Sequence, residues 1–146
     1  MNGLDLRIWP PRAPRARLDG LVFMPRTIDK IRATLPGGHL GSYQIVPGLS
    51  EMLLAIVGVQ LSALREAVSA AENEEDVALW LREHADTAQY PRANAALSEF
   101  RHENVPAEQR AHFESLYPEY LLARYALTFD LIEADDRELY PALEGW

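Results

Sequence analysis

Met24-Pro25-Arg26-Thr27-Ile28-Asp29-Lys30-Ile31-Arg32-Ala33-Thr34-Leu35-Pro36-Gly37-Gly38 decides how the whole chain is read. Proline in the first turn of a helix costs little, because its missing N–H would have no partner there. Ile28, Ile31 and Leu35 then recur at i, i+3 and i+7, an apolar face of helical period. Pro36-Gly37-Gly38 stops the run. The stretch reads as a short amphipathic helix, and short helices between Pro or Gly stops are what the rest of the chain repeats.

Upstream, Pro10, Pro11 and Pro14 fix φ and bias the residues before them toward extended geometry, so residues 1–20 are predicted to form an extended basic arm. Downstream, Gly37 to Gly48 is a loop in which Tyr43-Gln44-Ile45-Val46 is predicted as a short strand. Ser50 is the expected N-cap of an apolar helix over Glu51–Val57, interrupted at Gly58. Leu61, Leu64 and Val68 form the next apolar face, ending near Ala71. Asn73 followed by Asp76 resembles a capping box ahead of Val77, Trp80, Leu81 and His84. Pro91 and Pro106 open two further helices. Pro118 opens a last one, predicted over Glu119–Glu133 with Leu121, Leu122, Tyr125, Phe129 and Ile132 on its face. That face suits either the core or the seam of a homodimer. The expected fold is mainly α: a single-domain bundle over residues 1–146 of about seven short helices, with the basic arm at 1–20 and a C-terminal helix and tail at 119–146.

A length of 146 residues fits one domain. The formal charge of -8 is unevenly placed: residues 1–40 carry seven cations and three acids, and the remainder carries seven cations and nineteen acids. An acidic whole argues against nucleic acid as a partner, since phosphate contacts need a basic surface. Cysteine is absent, which excludes a disulfide framework, a thiolate zinc site and a cysteine nucleophile. The longest apolar stretch, Met52 to Val59, is far below the ~18 residues of a membrane span. The chain is therefore expected to be soluble and cytoplasmic, with no membrane partner.

Pro11-Arg12, Pro14-Arg15 and Leu18-Asp19-Gly20, followed by Met24-Pro25-Arg26-x-Ile28-Asp29-Lys30-x-Arg32-Ala33, resemble an uncharacterised bacterial family, a domain of unknown function. Gly58-Val59 and Trp80-Leu81 match its later turn and helix, so that the likeness covers most of residues 5–117. The chain departs from the family pattern at Gly41–Pro47 and extends past it from Glu119 onward. The resemblance implies a shared fold and no activity.

Arg26, Lys30 and Arg32 stand within two helical turns, with Arg15 and Arg17 on the adjoining arm. Guanidinium forks of this kind suit a phosphate or carboxylate, and these five residues are the candidate anion site. The competing reading is a salt-bridged helix, in which Asp29 neutralises Arg26 and Arg32 and the arginines anchor the arm. His39 and Tyr43 are accessory candidates for proton transfer. His39, His84, His102 and His112 form no metal-ligand spacing, Glu99-Phe100-Arg101-His102 occurs once rather than twice, and neither a metal nor a cofactor is expected. Gly37-Gly38-His39-Leu40-Gly41-Ser42 lacks the order of a phosphate loop. Trp9, Trp80 and Trp146 are expected as core or edge anchors. No complete catalytic set is present. The leading expectation is a binding or protein-interaction module with a small anionic ligand. The alternative is an enzyme acting on a small phosphorylated or carboxylated substrate.

Overall fold

Pro25 sits in the first turn of helix α1 (Met24–Arg32), and the face drawn by Ile28 and Ile31 is fully buried. The computed structural model describes residues 1–143, so Trp146 lies outside the described residues. Eight α-helices and one two-stranded hairpin make up the regular structure among them, which is mainly α. The chain forms two compact units, residues 1–97 and residues 98–146.

In the first unit the arm is not extended throughout. Strands β1 (Arg17–Leu18) and β2 (Leu21–Val22) pair antiparallel across Asp19-Gly20. Both turn residues have positive φ, 53° and 84°, the geometry that matches the natural twist of a hairpin and favours Asp-Gly. Arg82 holds the Asp19 carboxylate at 2.7 Å and 3.2 Å. The Asn94 side chain accepts from the Val22 N–H and donates to the Gly20 carbonyl. Nearer the start of the chain, the Leu6 N–H donates to the His39 carbonyl and the His39 N–H to the Leu4 carbonyl, a parallel bridge around Asp5. The arm passes so close to the turn after α1 that a Cβ on Gly3 would lie 2.5 Å from the Gly38 nitrogen.

Tyr43–Val46 forms no strand. The Tyr43 N–H donates to the Leu40 carbonyl and the Gln44 amide to the Pro47 carbonyl, turn bonds rather than a strand ladder. Helix α2 (Leu49–Val57) starts one residue before the expected cap, with Gly48 in the cap position. Ser50 is buried, and its hydroxyl lies 2.9 Å from that of Thr27, which donates to the Phe23 carbonyl. A partner across the core has displaced the capping role. Gly58, at φ 72°, ends α2, and α3 (Leu61–Ala70) leaves at 93°. Helix α4 (Glu74–His84) has the expected cap, because Asn73 accepts from the Asp76 N–H, but the Asp76 carboxylate accepts from the Glu72 N–H, one residue before the position a capping box would use. Helix α5 (Tyr90–Ser98) buries Ala93 and Leu97. Trp80 stacks on His84 at 4.4 Å, whereas Trp9 is 58% exposed and anchors no core.

The second unit holds α6 (Ala107–Ser115), α7 (Glu119–Arg124) and α8 (Thr128–Leu139). The single helix expected over Glu119–Glu133 is two helices. The chain straightens at Tyr125–Leu127 because the backbone around Leu127 pairs with Phe100–His102, through Ala126 carbonyl to His102 N–H and Phe100 carbonyl to Thr128 N–H. Leu121, Leu131 and Ala134 form a core with Phe113, Tyr117, Leu122 and Tyr125 packed against it. No single helix among the described residues is long and apolar enough to cross a membrane.

Candidate functional site

The prolines of the arm bring Arg12 against α1 rather than leaving it in solvent. Its backbone N–H and Nε both donate to Asp29 Oδ2, at 2.8 Å and 3.0 Å, and its Nη2 donates to Asp29 Oδ1 at 3.0 Å. The same guanidinium reaches Glu74 in the first turn of α4, with Nη1 at 3.0 Å from Oε2. Burial works against the Arg12 charge, yet its hydrogen bonds to Glu74 and Asp29 carry its pKa above the usual arginine range. Asp29 thus takes its partner from the arm, not from Arg26 or Arg32 on its own helix. One cation ties three segments that are distant in sequence.

Helix register divides the candidate cations into separate places. Arg26 is 2% exposed, with Nη1 donating to the Arg12 carbonyl at 3.2 Å. Its guanidinium lies 6.0 Å from the Phe23 ring and 5.4 Å from that of Tyr43. Lys30 Nζ stands 5.7 Å from the same Phe23 ring. Phe23 is itself held at φ 67°, an uncommon conformation for an aromatic residue. Arg26 and Lys30 therefore both stand over Phe23, and Tyr43 packs against the Arg26 guanidinium. Arg15 and Arg17 are exposed, Arg17 in β1.

Arg32 points elsewhere. Its Nε donates to the Asn2 carbonyl at 2.8 Å, and its Nη groups have no hydrogen bond or ion pair among the described residues. It lines a cavity of about 410 Å3 together with Arg12, Asp29 and Glu74 on the polar side and Leu4, Leu6 and Trp9 on the apolar side. Asp5, also on the wall, is occupied by Arg7 through both carboxylate oxygens. The Arg7 hydrogen bonds hold the Asp5 carboxyl down at about 2. With Asp29 and Glu74 on Arg12 and Asp5 on Arg7, the outer donors of Arg32 are the polar groups left for a ligand on this wall.

His39 is not among the residues lining that cavity. Its Nδ1 accepts the Gly41 N–H at 2.9 Å, so the neutral ring carries its proton on Nε2. Elsewhere, His102 Nε2 donates to the Leu122 carbonyl and His84 Nδ1 to the Trp80 carbonyl, both structural bonds. Among the described residues no group of three His, Asp or Glu side chains is placed to hold a metal ion.

In the sequence Trp9 is no site candidate, and Arg12 stands only as a further cation near the Arg26–Arg32 group. The signal for Arg12 was present in part, since Pro10-Pro11 orders the backbone that aims it, but nothing local says that residue 12 meets residue 74.

This Pro-Arg arm, laid by Arg12 onto the Asp29 helix, is the segment that carries the family resemblance. Residues 9–138 match a domain of unknown function, DUF5069. The chain belongs to this family. The match begins at Trp9, runs past Glu119 into α8 and includes Arg12, Asp29 and Glu74, which tie the arm to α1 and α4. No curated protein matches the chain.

Proposed function

We propose that this DUF5069 protein is a non-catalytic binding module, and that its ligand is a small carboxylate or phosphate with an apolar or aromatic body. The observation that carries the reading is Arg32, whose unengaged Nη donors face a cavity also walled by Leu4, Leu6 and exposed Trp9. A guanidinium beside an apolar wall offers a charged end and a flat or greasy end to the same molecule. Cavities of roughly 300–1,000 Å3 are the usual size for such ligands, and this one, about 410 Å3, falls in that range. The partner in this reading is a small molecule, not nucleic acid or a membrane, and the setting is the cytoplasm.

A thermal-shift screen of carboxylates and phosphorylated metabolites tests it. A ligand at a hundred times its dissociation constant adds ~2.7 kcal/mol of stability. The expected hit also changes tryptophan emission, through Trp9. Arg32→Gln removes the shift, and Trp9→Phe removes the emission change. A shift that survives Arg32→Gln would place the ligand elsewhere and end this reading of the cavity.

A further inference from the structure

Between Ser98 and Trp146 four arginines stand among eleven acidic residues, a net charge of -7. In such surroundings an arginine whose guanidinium has neither a carboxylate nor a carbonyl partner is the exception to be explained. Arg101 is paired with Glu103 at 2.8 Å, and Arg110 donates to the carbonyls of Glu103 and Val105. The other two differ. Arg124 and Arg137 line one cavity of about 490 Å3, and among the described residues neither guanidinium makes a hydrogen bond or an ion pair. Arg124 lies over the face of Tyr125 at 5.4 Å.

The rest of the wall fits the same picture. Among the described residues Glu138 is the one carboxylate lining the cavity, and it accepts the hydroxyl of Tyr120. Hydrogen bonding to Glu138 raises the Tyr120 pKa, so the phenol keeps its proton and the bond persists at neutral pH. Tyr120 is 58% exposed, which leaves much of its ring open to a ligand. Two planar guanidiniums can neutralise a dianion and fork onto its oxygens, and two tyrosine rings offer flat apolar faces beside them.

We propose that the cavity lined by Tyr120, Arg124, Tyr125 and Arg137 binds a phosphate monoester carried on a flat ring, an aryl or a nucleoside phosphate. The arginines take the phosphate and the tyrosines take the ring. This site is independent of the Arg32 cavity and does not rest on it.

Isothermal titration of the full chain at low salt, with adenosine monophosphate, phenyl phosphate, inorganic phosphate and adenosine as probes, tests the assignment. Both ring-bearing phosphates are expected to bind, each more tightly than inorganic phosphate or adenosine. Binding of the nucleotide alone identifies the nucleoside as the source of the ring, and equal binding of both identifies the aryl phosphate unit itself. Arg137→Gln and Arg124→Gln are each expected to weaken binding about tenfold, as for a lost charge-assisted hydrogen bond. Arg137 is exposed, so its variant keeps the fold, which circular dichroism verifies. The titrations are repeated in the Arg32→Gln background, which removes any binding in the Arg32 cavity, and the binding that remains there is the binding assigned to this site. The proposal is overturned if no probe binds the Arg32→Gln background at ~10 mM, or if binding in that background survives both Arg124→Gln and Arg137→Gln.

Discussion

Asp29 accepts three hydrogen bonds from Arg12 alone, one from the backbone and two from the guanidinium. Asp29 is 5% exposed, while the Glu74 side chain that shares the same guanidinium is 32% exposed. Burial decides which partner matters more. Asp29→Asn keeps the shape but loses the charge, and should lower stability by about 1–3 kcal/mol in urea titrations. Glu74→Gln should fall below ~1 kcal/mol, because exposed pairs are screened by water. Equal effects would mean that α4 holds the arm as firmly as α1 does, and burial would not be what decides. Asp5 gives a second test at this scale. Its carboxyl sits at about 2, below its ordinary 3.8, because Arg7 hydrogen-bonds its charged form. The stabilisation from that pair is therefore complete above pH ~4 and disappears as pH falls toward 2. Carbon-detected NMR of the Asp5 carboxyl should find its midpoint near 2, and Arg7→Ala should return it to the ordinary range.

Gly20 and Gly58 set the elements at their ends, with φ of 84° and 72° and no atom within 4 Å of where a Cβ would stand. Alanine at either place meets only backbone strain, about 1 kcal/mol. Each substitution should lower the melting temperature by ~2–4 °C. A fall several times larger would mean that the hairpin or the α2–α3 corner carries packing as well as geometry. These elements also show what the sequence makes legible. Local signals are legible: Pro25 in a first turn, the Asn73 cap, the stop at Gly58, the faces of Ile28 and Leu64. Signals that compete with a distant partner are not. Ser50 looks like a cap but bonds Thr27 across the core, and the helical period from Leu121 to Ile132 runs unbroken although Phe100–His102 pairs with the backbone between α7 and α8. The Asp19-Gly20 hairpin was legible in principle, since Asp-Gly is its commonest turn, but strands of two residues leave no period to detect. For the site the limit was the same. Residue types drew attention to the cations of α1, but which of them face a cavity depends on contacts up to 62 residues apart, such as Arg12 with Glu74.

Order is unequally distributed over the molecule. Helix α1 buries seven of its nine residues, whereas α6 has none fully buried. Backbone amides exchange through local opening where few apolar contacts resist it. Hydrogen-exchange mass spectrometry should therefore label Ala107–Ser115 orders of magnitude faster than Met24–Arg32. Comparable protection in both would show that α6 is held by contacts other than the burial of its side chains. The net charge of -8 also takes on a more specific meaning. The basic arm is not a free cationic patch, since Arg12 places its charge between Asp29 and Glu74. That arrangement has a consequence for how the molecule meets a denaturant. Arg12→Ala leaves two carboxylates around a hole the shape of guanidinium, so millimolar guanidinium chloride should first raise the melting temperature of this variant by filling it. The unaltered chain, whose hole is already filled by its own side chain, should only fall.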